Sequence, residues 1–253
     1  MNKYFHTGLL ALLLTCSTHA VLAAPLVFIT EAYPPYNFSD DNILRGIAVD
    51  ILVAASQNTE QPVKRSDIQL LPWARGYHSV QKNPNTVLFS TTRTPAREKL
   101  FKWAGPIAET RVVLMARKDR HIKIDSPADL LAYRIGAIRE DIGEQAVRAL
   151  GVGQEQLLLS ANADALSRQL DAGRIDLWAY EENVAYWFLR NAGFETAEYE
   201  DVYLLEQGEL WFAFNLHVTD ERIQQLQNGI DALHKTVGTF GKSRYDDILL
   251  NYL

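Results

Sequence analysis

Ser90-Thr91-Thr92-Arg93-Thr94-Pro95-Ala96-Arg97-Glu98 places four hydroxyls and two guanidinium groups within nine residues. Apolar sequence flanks the stretch, Val87-Leu88-Phe89 before it and Leu100-Phe101-Lys102-Trp103 after it. It is either a solvated turn at the end of a buried strand or a clamp for a carboxylate. A guanidinium meets a carboxylate as a planar fork and stays charged at any relevant pH. Arg97, three residues after Thr94, is the candidate for that fork. The competing assignment pairs Arg97 with Glu98 or Asp50 at the surface, and Arg93 reads as a solvated rim residue.

Outward from this stretch, short β-type runs alternate with amphipathic helical ones. Strands are predicted at 26–29, 68–71 and 87–90, with helices at 47–55 and 74–81. Downstream, 111–116 reads as a strand. Ser126-Pro127-Ala128-Asp129 then opens a helix with a capping hydroxyl, a proline at the first position and a carboxylate three residues on. Strands at 134–138, 157–159 and 175–180 interleave with helices from Asp141 to Gly151, over 162–173 and over 181–192. A long amphipathic helix covers 220–237. Such alternation predicts α/β units with mainly parallel sheets. No repeat, low-complexity tract or Pro/Gly-rich linker interrupts it, so two domains would be joined by strands.

The 253 residues are 47% hydrophobic and 22% charged, an ordinary globular composition that allows one large domain or two smaller ones. Net charge is −6 without a basic run, which argues against a nucleic-acid partner. Residues 1–23 read as a secretory signal: Lys3, an apolar run at 8–14, and Val21-Leu22-Ala23 before Ala24. That run is too short to span a bilayer. A lipoprotein signal ending at Cys16 ranks lower, because Thr15 is a poor residue to precede a modified cysteine. Cys16 is the only cysteine, so its removal leaves no thiol for a disulfide, a metal or nucleophilic attack. Export to the periplasm is the expected destination.

Common catalytic patterns do not emerge. His78, His121, His217 and His234 are too scattered for a helical metal pair. There is no G-x-S-x-G elbow or phosphate loop, and Gly151-Val152-Gly153 reads as a helix end. No catalytic residue, metal or cofactor is expected. What remains is distributed. Tyr33-Pro34-Pro35-Tyr36-Asn37-Phe38 follows the first strand, where carboxyl ends of parallel strands face a crevice, and two prolines stiffen it.

Taken in order, YPPYNF, RGIAVDIL, PWARGY and STTRTPARE with the downstream FKWAGP resemble the bacterial extracellular solute-binding proteins of family 3, periplasmic receptors for polar amino acids. The resemblance implies an α/β, two-lobed periplasmic binding protein-like fold of type II. Each lobe would hold a mainly parallel sheet flanked by helices, joined by a two-strand hinge near 109–112 and 206–210. Lobe one would comprise 24–109 and 207–253, lobe two 110–206. The family's threonine-plus-three arginine, which grips a ligand α-carboxylate, falls on Arg97; Ser90 and Thr92 take the hydroxyl positions facing the ligand. The acidic partner of the α-amino group falls on Glu181, whose competing role is helix N-terminal charge. Tyr33, Tyr36, Phe38, Trp73 and Tyr180 are candidate walls, although Trp73 and Phe38 read as core ahead of ligand contact.

One departure stands out. Where the family commonly has glycine-threonine, this chain has Arg139-Glu140-Asp141-Ile142. Asp141 can cap the following helix with Glu144 completing the box, yet two acidic groups there repel a carboxylate. Either the ligand is not a standard α-amino acid, or lobe one holds it with Arg139 compensating. The resemblance implies a monomeric, non-enzymatic receptor for a small amino-acid-like solute, delivering it to an ABC importer permease. The alternative is a cyclohexadienyl dehydratase-like enzyme on the same scaffold, with Glu181 the eligible acid-base group. A sensory module is a third reading.

Overall fold

The computed structural model describes residues 24–252, so the signal segment 1–23 and Cys16 lie outside the described residues. The first strand, β1 (Val27–Thr30), is an apolar run buried over its last three residues. A hairpin follows, β2 (Phe38–Asp40) and β3 (Ile43–Arg45), turning through Asp41 and Asn42 at φ 48° and 62°. Asp and Asn tolerate this left-handed region better than most side chains do. Gly46 (φ 121°) then enters α1 (Ile47–Ala55), and a Cβ there would lie 2.3 Å from the Tyr36 carbonyl oxygen. Only glycine allows the aromatic loop and α1 to meet so closely.

The short β4 (Gln69–Leu70), α2 (Trp73–Lys82) and the wholly buried β5 (Thr86–Thr92) complete the first run of the chain. β6 (Lys102–Arg117) is sixteen residues long, more than twice the stretch that the sequence marks as strand. Next come β7 (Ile135–Ile138), α3 (Ile142–Ala149), β8 (Leu157–Ser160), α4 (Ala163–Asp171), β9 (Leu177–Glu181) and α5 (Glu182–Asn191). A second sixteen-residue strand, β10 (Tyr199–Phe214), returns the chain to α6 (Asp220–Lys235) and α7 (Arg244–Leu250).

The main sheet runs β4-β1-β5-β10-β6-β9-β7-β8. β1 is parallel to β4 and β5, and β7 is parallel to β8 and β9. β10 is antiparallel to β5 and β6, and β6 is antiparallel to β9. Within each lobe the strands are parallel, as expected, and the whole sheet becomes mixed because the two long strands β6 and β10 pair antiparallel with each other and with β9 and β5. Their pairing passes through Glu109↔Glu209, Thr110↔Gly208, Arg111↔Gln207 and Val112↔Glu206, with register shifts on either side. β1, β4 and β5 belong to one lobe; β7, β8 and β9 belong to the other.

The ends of β1, β5, β7 and β9 converge where the lobes meet. Buried side chains run continuously from Ile29 and Tyr33 to Trp178, Tyr180 and Val184, while Leu114, Ile135, Val147 and Leu177 pack a separate cluster in the second lobe. Among the described residues no helix is long and apolar enough to cross a membrane.

Candidate functional site

The crevice between the lobes is built, on the first side, from the residues that follow β1 and β5. Asn37 locks the aromatic loop: its Nδ2 donates to the Glu31 carbonyl (2.6 Å) and its Oδ1 accepts from the Ser90 hydroxyl. Ser90 thus turns toward the loop. Tyr33 and Tyr36 are buried with ring centroids 5.7 Å apart.

Arg97 is only 1% exposed. Its Nη1 donates to the Thr92 carbonyl (3.2 Å) and its Nε to Gln145 Oε1 of the other lobe (3.2 Å). The guanidinium carbon lies 5.4 Å from the Trp73 ring centre and 5.2 Å from that of Tyr77. Nη2 is buried without a partner. The surface pairings are taken by others: Arg93 chelates Glu98 (2.8 and 2.7 Å), and Asp50 pairs with Arg65 (2.7 Å). Arg93 is no simple rim residue, because Trp211 and Trp103 flank its guanidinium at 4.5 and 5.5 Å.

The second lobe supplies carboxylates at helix starts. Glu181 caps α5, its Oε2 accepting from the Val184 N–H (2.8 Å). Its Oε1 accepts from the Tyr36 hydroxyl (3.2 Å) and from Asn183 Nδ2 (3.3 Å). Burial pushes its pKa up to about 7, against the hydrogen bonds that favour the anion. Tyr180 stacks on Trp178 (5.1 Å) and meets Tyr33 edge-on (5.6 Å), with its buried hydroxyl unpartnered.

Asp141 sits just ahead of α3, 3% exposed, with Oδ2 unpartnered. Gly143 lets that helix start close to β9; a Cβ there would lie 2.4 Å from the Ala179 carbonyl oxygen. Burial raises the Asp141 pKa, opposed by Arg97 and by the backbone N–H groups of Ile142 and Gly143. Glu144 does not complete a box with Asp141: its Oε2 accepts from the Glu140 N–H (2.6 Å) and its Oε1 from Arg148 (2.7 Å). Arg139, the cation that one of the two alternatives offered as compensation, is exposed.

Trp73 joins the lobes as well as covering Arg97. Its Nε1–H donates to the Glu140 carbonyl (3.0 Å), which also accepts from Gln145 Nε2 (2.8 Å). Phe38 approaches Trp187 of α5, with centroids 6.1 Å apart. With the Arg97–Gln145 and Tyr36–Glu181 bonds, these contacts hold the lobes together.

Sequence reasoning missed Glu31, although an acidic residue at the carboxyl end of β1 is a readable signal. It is 9% exposed, and its pKa is driven well up by burial and by the Asp141 carboxylate, with Arg97 opposing. It lines an inter-lobe cavity of about 300 Å³ together with Leu71, Pro72, Ile138, Asn162 and Phe188. No cluster of three or more metal-ligating side chains occurs among the described residues. The crevice can therefore grip a small solute by charge, hydrogen bonds and aromatic faces.

Residues 26–236 match the profile of the bacterial extracellular solute-binding proteins, family 3. No curated protein sequence matches the chain significantly. Among solved structures, it is similar to a histidine kinase sensor domain with similarity to periplasmic binding proteins (TM-score 0.76, 18% identity, covering 90% of this chain and 96% of that one). It is also similar to an ancestral arginine-binding protein bound to arginine (0.74, 18%, 91% and 99%). A third is an ABC uptake transporter substrate-binding protein from Streptococcus pneumoniae with bound histidine (0.74, 15%, 90% and 92%). These likenesses establish the two-lobed periplasmic binding protein fold of type II. By the match over residues 26–236, the chain belongs to the bacterial extracellular solute-binding proteins, family 3.

Proposed function

We propose that the protein is a periplasmic receptor that closes its two lobes on a small, polar, amino-acid-like solute and passes it to an ABC importer. The observation that carries this reading is the buried guanidinium of Arg97. Two of its nitrogens are fixed by Thr92 and Gln145, while Nη2 is buried without a partner. A charge held in this way is preorganised for a ligand acceptor, so little ordering remains for binding to accomplish. Hinge motion would occur where β6 and β10 pair between Glu109 and Val112, with residues 24–109 and 207–253 moving against 110–206. Support also comes from the family and from the bound arginine and histidine named for similar structures.

The test is a thermal-shift screen of the chain lacking residues 1–23 against amino acids and related amines. The reading expects saturable stabilisation by a small set of solutes without turnover. A flat response across the set contradicts it.

A dehydratase-like enzyme is the second reading, favoured by one feature: burial pushes the Glu181 carboxyl up to about 7, the range suited to a general acid-base group. Both Glu181 oxygens, however, already accept protein hydrogen bonds. Phenylpyruvate appearing from prephenate would select the enzyme over the receptor.

A further inference from the structure

The phenol of Tyr36 has more neighbours than protons. Its oxygen lies 3.2 Å from Glu181 Oε1 in the second lobe, 3.3 Å from the Glu109 carbonyl on β6, and 3.5 Å from Asn183 Nδ2. Asn183 donates and the Glu109 carbonyl only accepts, so the single phenolic proton serves either Glu109 or Glu181. With Glu181 ionised, that proton goes to the carboxylate and the Glu109 carbonyl loses the hydroxyl. With Glu181 protonated, the carboxyl donates to the phenol oxygen and the phenol donates to Glu109, so every group in the row is matched. The row runs from β6 through the aromatic loop to the start of α5, and Glu181 is 0% exposed within it.

Among the described residues no cation is bonded to Glu181. Arg111 reaches it only through its backbone N–H, and its guanidinium turns to Glu182 (2.7 Å) and Asp201 (3.5 Å). Arg97 is held by Thr92 and Gln145. The titratable groups around Glu181 are Glu182 of α5 and the phenols of Tyr33, Tyr36 and Tyr180, with Tyr245 of α7 behind Tyr36. Glu31 and Asp141 act on Tyr33 and Tyr180, and Glu206 of β10 lies two strands across from Glu181. The charges of α4 are taken up in the Arg168–Asp164 and Arg117–Asp171 pairs. Burial without a cation accordingly holds the carboxyl at about 7, whereas parting of the lobes returns it to water and towards the ordinary 4.5.

We propose that Glu181, Tyr36 and the Glu109 carbonyl form a proton-operated latch: a proton on Glu181 holds the lobes shut, and its loss lets them part. The closed protein binds that proton more tightly than the open one does. Closure is therefore favoured fully below pH 4.5, and the advantage is lost as pH rises through 7. The inference needs the lobe movement of the receptor reading but no particular solute.

The experiment is a pulsed electron spin distance measurement on the solute-free chain lacking residues 1–23. With Cys16 gone, nitroxide labels attach only at introduced cysteines, Ser66→Cys in one lobe and Glu155→Cys in the other, both exposed positions. From pH 5.5 to 8 the ratio of short to long distances is expected to fall by roughly twentyfold. Glu181→Gln, whose amide donates to Tyr36 as the protonated carboxyl does, should keep the short distance at pH 8. Tyr36→Phe is the second variant should the first fail to fold, and it should show more of the long distance at every pH. Glu31 and Asp141 are raised by burial too, so the latch is read in the difference between wild type and variant. Distances unchanged by pH, or a fall as large in Glu181→Gln as in the wild type, overturn the latch and leave the solute screen to decide the receptor reading.

Discussion

Arg97 in the first lobe and Glu181 in the second are both almost completely buried, but the protein completes the hydrogen bonding of only one of them. Three protein donors converge on the Glu181 carboxylate, and through it the start of α5 is tied to Tyr36 across the crevice. Arg97 keeps a buried nitrogen without a partner, and Asp141 Oδ2 is likewise unpartnered. Removing a charge from water is costly unless its partners are complete. On the receptor reading, the fully partnered carboxylate would serve closure and the incompletely partnered guanidinium recognition.

The largest expected effect separates these two roles. Arg97→Ala should cost about 2–5 kcal/mol of binding, the usual result of truncating one partner of a buried charge pair. At about 1.4 kcal/mol per decade this is roughly thirtyfold to several-thousandfold in affinity, read by calorimetry with a saturating solute. An equal loss in Glu181→Gln would erase the distinction.

Glu181 should instead reveal itself in the pH dependence of folding. Its carboxyl is raised from 4.5 to about 7 in the folded protein, so the fold binds that proton more tightly than the unfolded chain does. The associated stability is fully present below 4.5 and is lost as pH rises through 7, by something on the order of 3 kcal/mol. Urea melts from pH 4.5 to 8 should show this decline, reduced in Glu181→Gln. Glu31 and Asp141 shift in the same direction, so part of the decline should survive in the variant.

Smaller effects sharpen the same contrast. Trp73→Phe keeps a ring beside Arg97 but loses the Nε1–H bond to the Glu140 carbonyl, worth about 1 kcal/mol. Affinity should fall severalfold, and small-angle scattering of the ligand-bound protein should report a more open average shape. Smallest of all, Arg93→Ala removes a half-exposed pair with Glu98 and should cost at most about 1 kcal/mol of stability, with solute affinity unchanged.

Much of the fold was legible because its signals are local. The capping box of Ser126 and Asp129, the apolar runs of β1 and β5, and the cap of α5 at Glu181 are each written within a few residues. The first half of β6 was not, because Lys102–Thr110 contains Gly105 and Pro106 and gains its strand character from pairing with β10, far away in sequence. The Phe38–Arg45 hairpin was missed although Asp41-Asn42 is a readable turn. In the site, the Thr94–Arg97 spacing pointed to a clamp, but which guanidinium the surface carboxylates would capture depends on tertiary neighbours. Glu98 chose Arg93, and Asp50 chose Arg65. Glu31 escaped because the aromatic loop drew attention two residues too late, and Arg139 was credited because its exposure is set by how the chain leaves β7.

The most direct test is a crystal structure of the protein grown with whichever solute saturates it. The account expects that solute in the inter-lobe crevice, with an acceptor atom within hydrogen-bond distance of Arg97 Nη2. A solute bound outside the crevice, or within it but out of reach of that nitrogen, would contradict the account.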